Sequence, residues 1–137
     1  MSQYMLLVYH EEVEQEEQDE REQITTTLLE LHAGLREAGV LVDVQRLRPT
    51  ESATSVRLRD GQVEITDGPF AVTKEVLAGY YLLECADLDE ALKQAARMPM
   101  ARWGTVEVRP VMPAEEWLNV AREAGADVSD EDVRNLA

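Results

Sequence analysis

The sequence is poor in the features that mark secreted, membrane-spanning and cofactor-dependent proteins. Among its 137 residues Cys85 is the only cysteine, so an internal disulfide cannot form. No apolar run approaches the roughly 20 residues of a membrane span, and the first residues lack the basic flank of a signal peptide. Neither a zinc-type spacing nor a glycine-rich phosphate loop is present. We therefore expect a cytoplasmic protein that uses no metal and no cofactor.

Basic residues are also scarce. Thirteen Lys and Arg face 28 Asp and Glu, which gives a net charge of −15. The acids are concentrated, because residues 11–22 hold eight acids and one arginine, and residues 113–137 hold seven acids and two arginines. A nucleic-acid binder needs a basic stripe to displace counterions from phosphates, and anionic membranes repel acidic surfaces. The composition thus argues against both partners and predicts a solvated helix entry at 11–22.

The spacing of apolar residues predicts strands and helices in the first half of the chain. Residues 4–9 form a short apolar run, which is typical of a buried strand. From about Asp19 the spacing changes, and apolar residues then recur every three or four positions from Ile24 to Ala38, which predicts a first helix with an acidic N-terminal turn that ends before Gly39. After an extended segment, Asp60 and Gly61 interrupt an alternating pattern, and this pair is the strongest short-range hairpin signal in the chain.

The second half continues the pattern. Residues 77–85 read as another buried strand, in which Gly79 allows a close approach of a neighbouring strand or a bulge. Asp87 followed by Glu90 has the spacing of a capping box, so a second helix should begin there. Residues 104–111 alternate strictly and predict the last strand of the core.

This order predicts an α+β protein with a ferredoxin-like βαβ-βαβ sheet, an inserted hairpin and two helices on one face. We assign residues 1–112 to this domain and residues 113–137 to a C-terminal helical extension docked by Trp117. Because helices cover only one face and strand 77–85 is apolar on both, the second face should meet another copy of the chain. The sequence therefore predicts a homodimer.

A family resemblance adds to this prediction. The segment "DGPFAVTKEVLAGYYLLECADLDEALKQAARMP", residues 67–99, followed by "GTVEVRPV", strongly resembles the YCII-related family in its branch with an Asp-Gly-Pro-Phe motif. The resemblance covers about residues 3–112 and implies a ferredoxin-like fold that assembles as a dimeric α+β barrel. Members of this branch often occur alongside extracytoplasmic-function sigma factors, and a few members of the wider family look like small-molecule enzymes.

The resemblance also indicates where an active site should lie. The family's suspected site is a histidine on the first helix and an aspartate before the proline that follows the second helix. Leu28 and Met98 occupy these two positions here, and His32 lies one helical turn beyond Leu28 on nearly the same face. The branch commonly has a glutamate after its motif, where this chain has Val72.

Asp67 admits two interpretations. Its side chain can accept hydrogen bonds from backbone N–H groups in the turn, while Gly68 and Pro69 fix the backbone, and this alone explains the corner. Alternatively, Asp67 lies at a cavity rim beside Lys74 and acts as a base or orients a ligand. His32 is likewise either a flank histidine on a helix or a proton shuttle.

The candidate site is therefore drawn from five residues. Asp67 and His32 are the candidate catalytic pair, and Lys74, Arg109 and Tyr81 are the candidate ligand-binding residues. Arg109 could hold a carboxylate or phosphate by its planar fork, or pair with an acidic neighbour or the partner chain.

Two functions follow from these residues. The preferred one is a dimeric small-ligand-binding or accessory protein without turnover, tied to sigma-factor regulation. The alternative is a small cofactor-independent enzyme that uses acid-base chemistry on a small polar or anionic substrate. The two differ in one structural respect, because an enzyme needs its titrating groups to converge on one cavity.

Overall fold

The computed structural model describes residues 1–136, in which a four-stranded sheet carries helices on one face and a two-stranded hairpin stands apart. The strands are β1 (Ser2–His10), β2 (Leu41–Arg46), β3 (Thr54–Arg59), β4 (Gln62–Asp67), β5 (Val76–Cys85) and β6 (Gly104–Pro110). The helices are α1 (Gln15–Glu22), α2 (Thr25–Glu37), α3 (Leu88–Ala96), α4 (Ala114–Glu123) and α5 (Asp130–Leu136). Ala137, the last residue of the predicted extension, lies outside the described residues.

The four-stranded sheet has the order β2-β5-β1-β6, and every neighbouring pair is antiparallel. With α1 and α2 between β1 and β2, and α3 between β5 and β6, this is the ferredoxin-like α+β arrangement. The hairpin β3–β4 is inserted between the two βαβ halves. The predicted fold class is confirmed.

Alternation along the strands separates a core face from an open face. On β1, Leu6 is fully buried and pairs in register with Tyr81 of β5 and Val108 of β6. Leu35 of α2 and Ala91 of α3 close over this face and belong to the same apolar core. Side chains of opposite parity, such as Leu7 and Tyr80, are only half-buried on the other face.

The predicted first helix is two helices. The acidic segment forms α1, whose Gln15 and Gln18 side chains donate to the carboxylates four residues on, each at 2.7 Å. The backbone N–H of Ile24 then bonds to Arg21 O, three residues back, and this tighter turn ends α1. The N–H of Leu28 bonds to Ile24 O and starts α2. Residues 15–22 are thus a solvent-exposed helix in their own right and not the entry to a longer one.

The hairpin forms at the predicted dipeptide. Asp60 and Gly61 have φ values of 52° and 74°, the positive pair that a type I′ turn requires. One face of the hairpin carries four apolar side chains that are each about two-thirds exposed: Val56, Leu58, Val63 and Ile65. A two-stranded hairpin is marginally stable in water by itself, so we expect this apolar face to pack against another surface.

Gly79 fulfils its predicted role. A Cβ at this position would lie 2.5 Å from Gln45 O, so only glycine lets β2 approach β5 this closely. The pairing of β1 with β5 also shifts register between Val8 and Tyr9, beside Gly79. Both the close approach and the bulge are present, and they shape the sheet directly beneath the site described below.

The C-terminal extension docks differently from the prediction. Leu118 is 5% exposed and anchors α4, whereas Trp117 is 42% exposed, so the prediction that Trp117 is the anchor is wrong. The less exposed face of α4 runs through Ala114, Leu118 and Ala121, and Trp117 lies beside this face toward solvent. Within residues 1–136 the longest helix, α2, has 13 residues, and no helix combines the length and apolarity needed to cross a bilayer.

Candidate functional site

A cavity of about 150 Å³ lies on the helix side of the sheet. Its walls are mainly apolar and come from β1, β2, β5, α1, α2 and the turn after α3. The apolar side chains in these walls include Val8, Ile24, Leu28, Val44 and Met100. A dry engineered cavity of this volume binds benzene, so the space suits one ring. The cavity is therefore large enough for a small organic molecule and too small for a polymer.

His32 and Tyr81 face each other in the wall of this cavity. His32 Nε2 and the Tyr81 hydroxyl are 2.6 Å apart, and the two rings meet edge to face with centroids 5.2 Å apart. Burial raises the pKa of Tyr81 to about 12. Burial, and then the positive charge of Arg36, lower the pKa of His32 from its usual 6.5. At neutral pH the hydroxyl keeps its proton and the imidazole is neutral.

This pair can both donate and accept a hydrogen bond. If Nδ1 of His32 carries the proton, Nε2 accepts from the Tyr81 hydroxyl, whose oxygen can still accept a bond from a ligand. If Nε2 carries the proton, it donates to the Tyr81 oxygen and frees the hydroxyl proton for a ligand. The pair is therefore suited to a ligand hydroxyl, which is itself a donor and an acceptor.

An ion pair lies at the edge of the cavity. Arg46 Nη1 donates to Glu22 Oε2 at 3.1 Å, and Nη2 donates to Oε1, so the guanidinium holds the carboxylate with both prongs of its fork. Gln18 Nε2 donates to the same carboxylate at 2.7 Å. The hydrogen bond from Arg46 is the main reason why the pKa of Glu22 is lowered. The pair joins α1 to β2.

A second basic side chain packs on the indole of Trp103. The guanidinium carbon of Arg21 lies 5.4 Å from the centre of this ring, within cation–π range, and Nη1 donates to Glu11 O at 3.0 Å. Trp103 Nε1 is the one buried side-chain polar atom that lacks a hydrogen-bond partner within residues 1–136. The ring of Trp103 lines the cavity, whereas its N–H is fully buried and does not face the cavity space.

Comparison of the sequence with known proteins identifies the family of this chain. The sequence model of the YCII-related domain matches residues 2–115. The chain belongs to the YCII-related family. An uncharacterised protein of Rhizobium meliloti (strain 1021) is 41% identical to it over 114 residues, which cover 79% of this chain and 90% of that protein.

The two positions where the resemblance puts the suspected YCII-related site have different surroundings. Leu28 lines the cavity, and His32, one turn along α2, lines it too. Met98 is 1% exposed and belongs to the apolar core. His32 of this YCII-related chain thus lies one turn from the position where the resemblance expects a histidine, and it lines the same cavity as Leu28. At the position where the resemblance expects an aspartate, Met98 carries an apolar side chain.

The structure brings together two of the five candidate residues, His32 and Tyr81. Asp67 ends β4 in the separate hairpin, is exposed, and does not line the cavity. Lys74 is exposed and pairs with Glu11 at 3.5 Å. Arg109 lies opposite Met5 on the open face of the sheet. Joint action of Asp67 and His32 would require a second copy or a rearranged hairpin to bring them together, and it stays a prediction.

Sequence reasoning missed Arg46, Glu22 and Trp103. Arg46 follows Val44 by two residues on β2, so its inward direction could have been predicted from alternation. Its partner Glu22 is 24 residues away and belongs to a helix that the sequence predicted to be solvated. Within residues 1–136, no group of three His, Cys, Asp or Glu side chains is arranged to hold a metal ion.

Proposed function

We propose that the chain binds a small molecule in the cavity beside His32 and Tyr81. The ligand has an apolar body of about one ring and a hydroxyl or similar polar group that bonds to the pair. One observation carries the proposal: a hydrogen-bonded imidazole and phenol lie in the wall of a mainly apolar space of about 150 Å³. Ligand sites commonly combine an apolar lining with a few placed polar groups.

The alternative is that His32 and Tyr81 only satisfy each other inside the core. One feature argues against it. A purely structural pair is best packed without a void, since every unfilled volume loses dispersion contacts.

The experiment is a ligand-observed NMR screen with single-ring compounds such as phenol, benzyl alcohol and toluene. Val44 lines the cavity, and Val44→Phe fills it with extra side-chain volume. Val42 lies on the same strand, is 48% exposed and does not line the cavity, so Val42→Phe is the matched control. We expect binding to wild type and Val42→Phe and its loss in Val44→Phe. Equal binding to all three would contradict the proposal.

Acid-base catalysis is the second candidate function, and the same pair favours it. The pKa of His32 is lowered and that of Tyr81 is raised, so a neutral base and a neutral acid lie 2.6 Å apart beside a cavity. Perturbed groups in a cleft are typical of functional sites. An enzyme of this kind would exchange acidic C–H protons of a bound compound with solvent deuterium. His32→Gln should stop that exchange without stopping binding.

The proposal includes a homodimer formed through the open face of the sheet. Met5, Leu7 and Leu82 are half-buried there, and the hairpin presents a further apolar face. Burial of such surfaces is the main driving force of association. An association with a sigma factor stays a prediction that rests on the family resemblance, and so does the placement of Lys74 and Arg109 near a ligand.

A further inference from the structure

The ion pair between Glu22 and Arg46 borders two spaces. Both residues line the ring-sized cavity, and both also line an outer groove of about 880 Å³. Within residues 1–136, Arg46 carries the one guanidinium that lines both spaces. A ligand that lies across the two spaces can therefore bond to its fork.

The fork of Arg46 is built for a carboxylate and holds one supplied by the protein. Both of its terminal nitrogens donate to Glu22, the planar match that arginine makes with carboxylates. The side chains of Arg46 and Glu22 are 69% and 39% exposed. Exposed ion pairs contribute little to stability, so replacing Glu22 by another carboxylate costs at most a factor of about five.

The helix that carries Glu22 is held loosely. None of the eight residues of α1, Gln15–Glu22, is buried, and the helix is joined to α2 by a tightened turn. Apart from the Arg46 pair, its ties include the bond from Thr25 Oγ1 to Glu22 O at 2.7 Å and the contacts of Arg21 with Trp103 and with Glu11 O. None of these ties involves the Glu22 carboxylate. Glu22 can therefore withdraw without disturbing the sheet or the apolar core.

We infer that Arg46 is the receptor for a carboxylate of the ligand, and that Glu22 occupies this receptor when the site is free. The inference rests on the proposed function, because it assigns one end of a molecule whose ring fills the cavity. It narrows the ligand class to single-ring carboxylates with a hydroxyl at the far end. On binding, the ligand carboxylate takes the fork and Glu22 is released to solvent.

The sheet register and the cavity lining relate the two groups. Arg46 lies opposite Gly79 and Val44 lies opposite Tyr81, so Arg46 and Tyr81 belong to positions two residues apart on one face. Both side chains line the same cavity, as His32 does. A single molecule can therefore contact Arg46 with one end and the His32–Tyr81 pair with the other.

The test compares 4-hydroxybenzoate with the neutral analogue 4-hydroxybenzamide by isothermal titration calorimetry. We expect the wild type to prefer the carboxylate. Glu22→Gln should bind it up to about fivefold more tightly, because the competing carboxylate is gone. Arg46→Gln should weaken it by about tenfold or more and leave the amide unchanged, as expected for a charge-assisted hydrogen bond. Arg46→Lys keeps the charge without the fork and should recover only part of the preference.

Two control variants separate this effect from a general change of charge. Arg48→Gln removes a cation that lines only the outer groove, and Glu20→Gln removes an exposed acid from the same helix. Neither should change the ratio of carboxylate to amide affinity. Equal affinity of wild type for both compounds, or controls that match the test variants, would overturn the inference while leaving the proposed function intact. Failure of both compounds to bind while phenol still binds would overturn the inference alone. Failure of phenol as well would overturn the proposed function too.

Discussion

His32 and Tyr81 are 49 residues apart in the sequence, and their side chains share a hydrogen bond of 2.6 Å beside a ring-sized cavity. Their opposite pKa shifts keep both groups neutral at physiological pH. A neutral donor-acceptor pair in an apolar wall can recognise a hydroxyl without the desolvation cost of a buried charge. This relationship is the basis of the function proposed above.

Stability should depend on pH through His32. Because its folded pKa is lowered below the unfolded value near 6.5, the folded state binds fewer protons in this range. The stabilisation from neutral His32 is fully present above about pH 6.5, and it is lost as pH falls through the lower folded pKa. Denaturant melts between pH 8 and pH 5 should show this loss in wild type and in His10→Gln. His32→Gln should lack it, and an unchanged pH profile in that variant would contradict the assignment.

Replacement of Gly79 by alanine should destabilise the fold. In Gly79→Ala the new Cβ would lie 2.5 Å from Gln45 O, so β2 must move, at a cost of about 1–3 kcal/mol. Gly34→Ala is the control, because nothing lies within 4 Å of a Cβ there and the position is inside α2. That control should stabilise by about 0.5–1 kcal/mol. Thermal melts that rank the two variants in the opposite order would rule out the close strand approach.

The Asp-Gly-Pro-Phe corner should depend on Ser55 more than on Asp67. Ser55 Oγ donates to Gly68 O at 2.8 Å, and Gly68 N donates to Ala53 O at 2.7 Å. Among residues 1–136, no hydrogen-bond partner of the exposed Asp67 carboxylate is found. Ser55→Ala should cost about 0.5–1.5 kcal/mol, and Asp67→Ala should stay within about 0.5 kcal/mol. A larger loss in Asp67→Ala would restore the turn-acceptor role that the sequence suggested.

The corner shows how far turn chemistry can be predicted. The positions of Asp60-Gly61 and of Gly68 follow from their residue types, since positive φ favours glycine and, less strongly, aspartate. Which side chain completes the corner does not follow, because Ser55 and Gly68 meet only after β3 and β4 pair. The spacing of apolar residues likewise predicted the ferredoxin-like fold. It did not predict the break between α1 and α2, because that break depends on the backbone bond from Ile24 N to Arg21 O and not on side-chain spacing.

The site itself was predictable only in part. The helical spacing that relates His32 to Leu28 correctly indicated a shared face. Tyr81 was named as a ligand-binding residue, but the sequence left open which sheet face it occupies, because β5 is apolar on both. In the sheet, Tyr81 lies between Leu6 of β1 and Val44 of β2, and this register puts its side chain on the core face. The hydrogen bond from Arg46 to Glu22 could not be predicted, because Glu22 is the last residue of α1 and its position depends on where α1 breaks from α2.

The homodimer can be tested with one charge on the open face. Leu82 lies there opposite Asp43, so in Leu82→Lys the new ammonium can pair with that carboxylate while placing a charge in the predicted interface. We expect light scattering to give a dimer for wild type at micromolar concentration and a folded monomer for Leu82→Lys. Leu29→Lys, on an exposed position of α2, should remain dimeric. A monomeric wild type would remove the dimer from the proposal.

A crystal structure of the chain soaked with phenol would show whether the cavity beside His32 and Tyr81 is a ligand site. We expect the ring in the cavity between Leu28 and Val44, with its oxygen within hydrogen-bond distance of the Tyr81 hydroxyl or His32 Nε2. Phenol bound there would place its ring against the apolar walls and its oxygen beside the His32–Tyr81 pair. An empty cavity at saturating phenol, with phenol bound instead on the open sheet face or the hairpin, would contradict the proposed function.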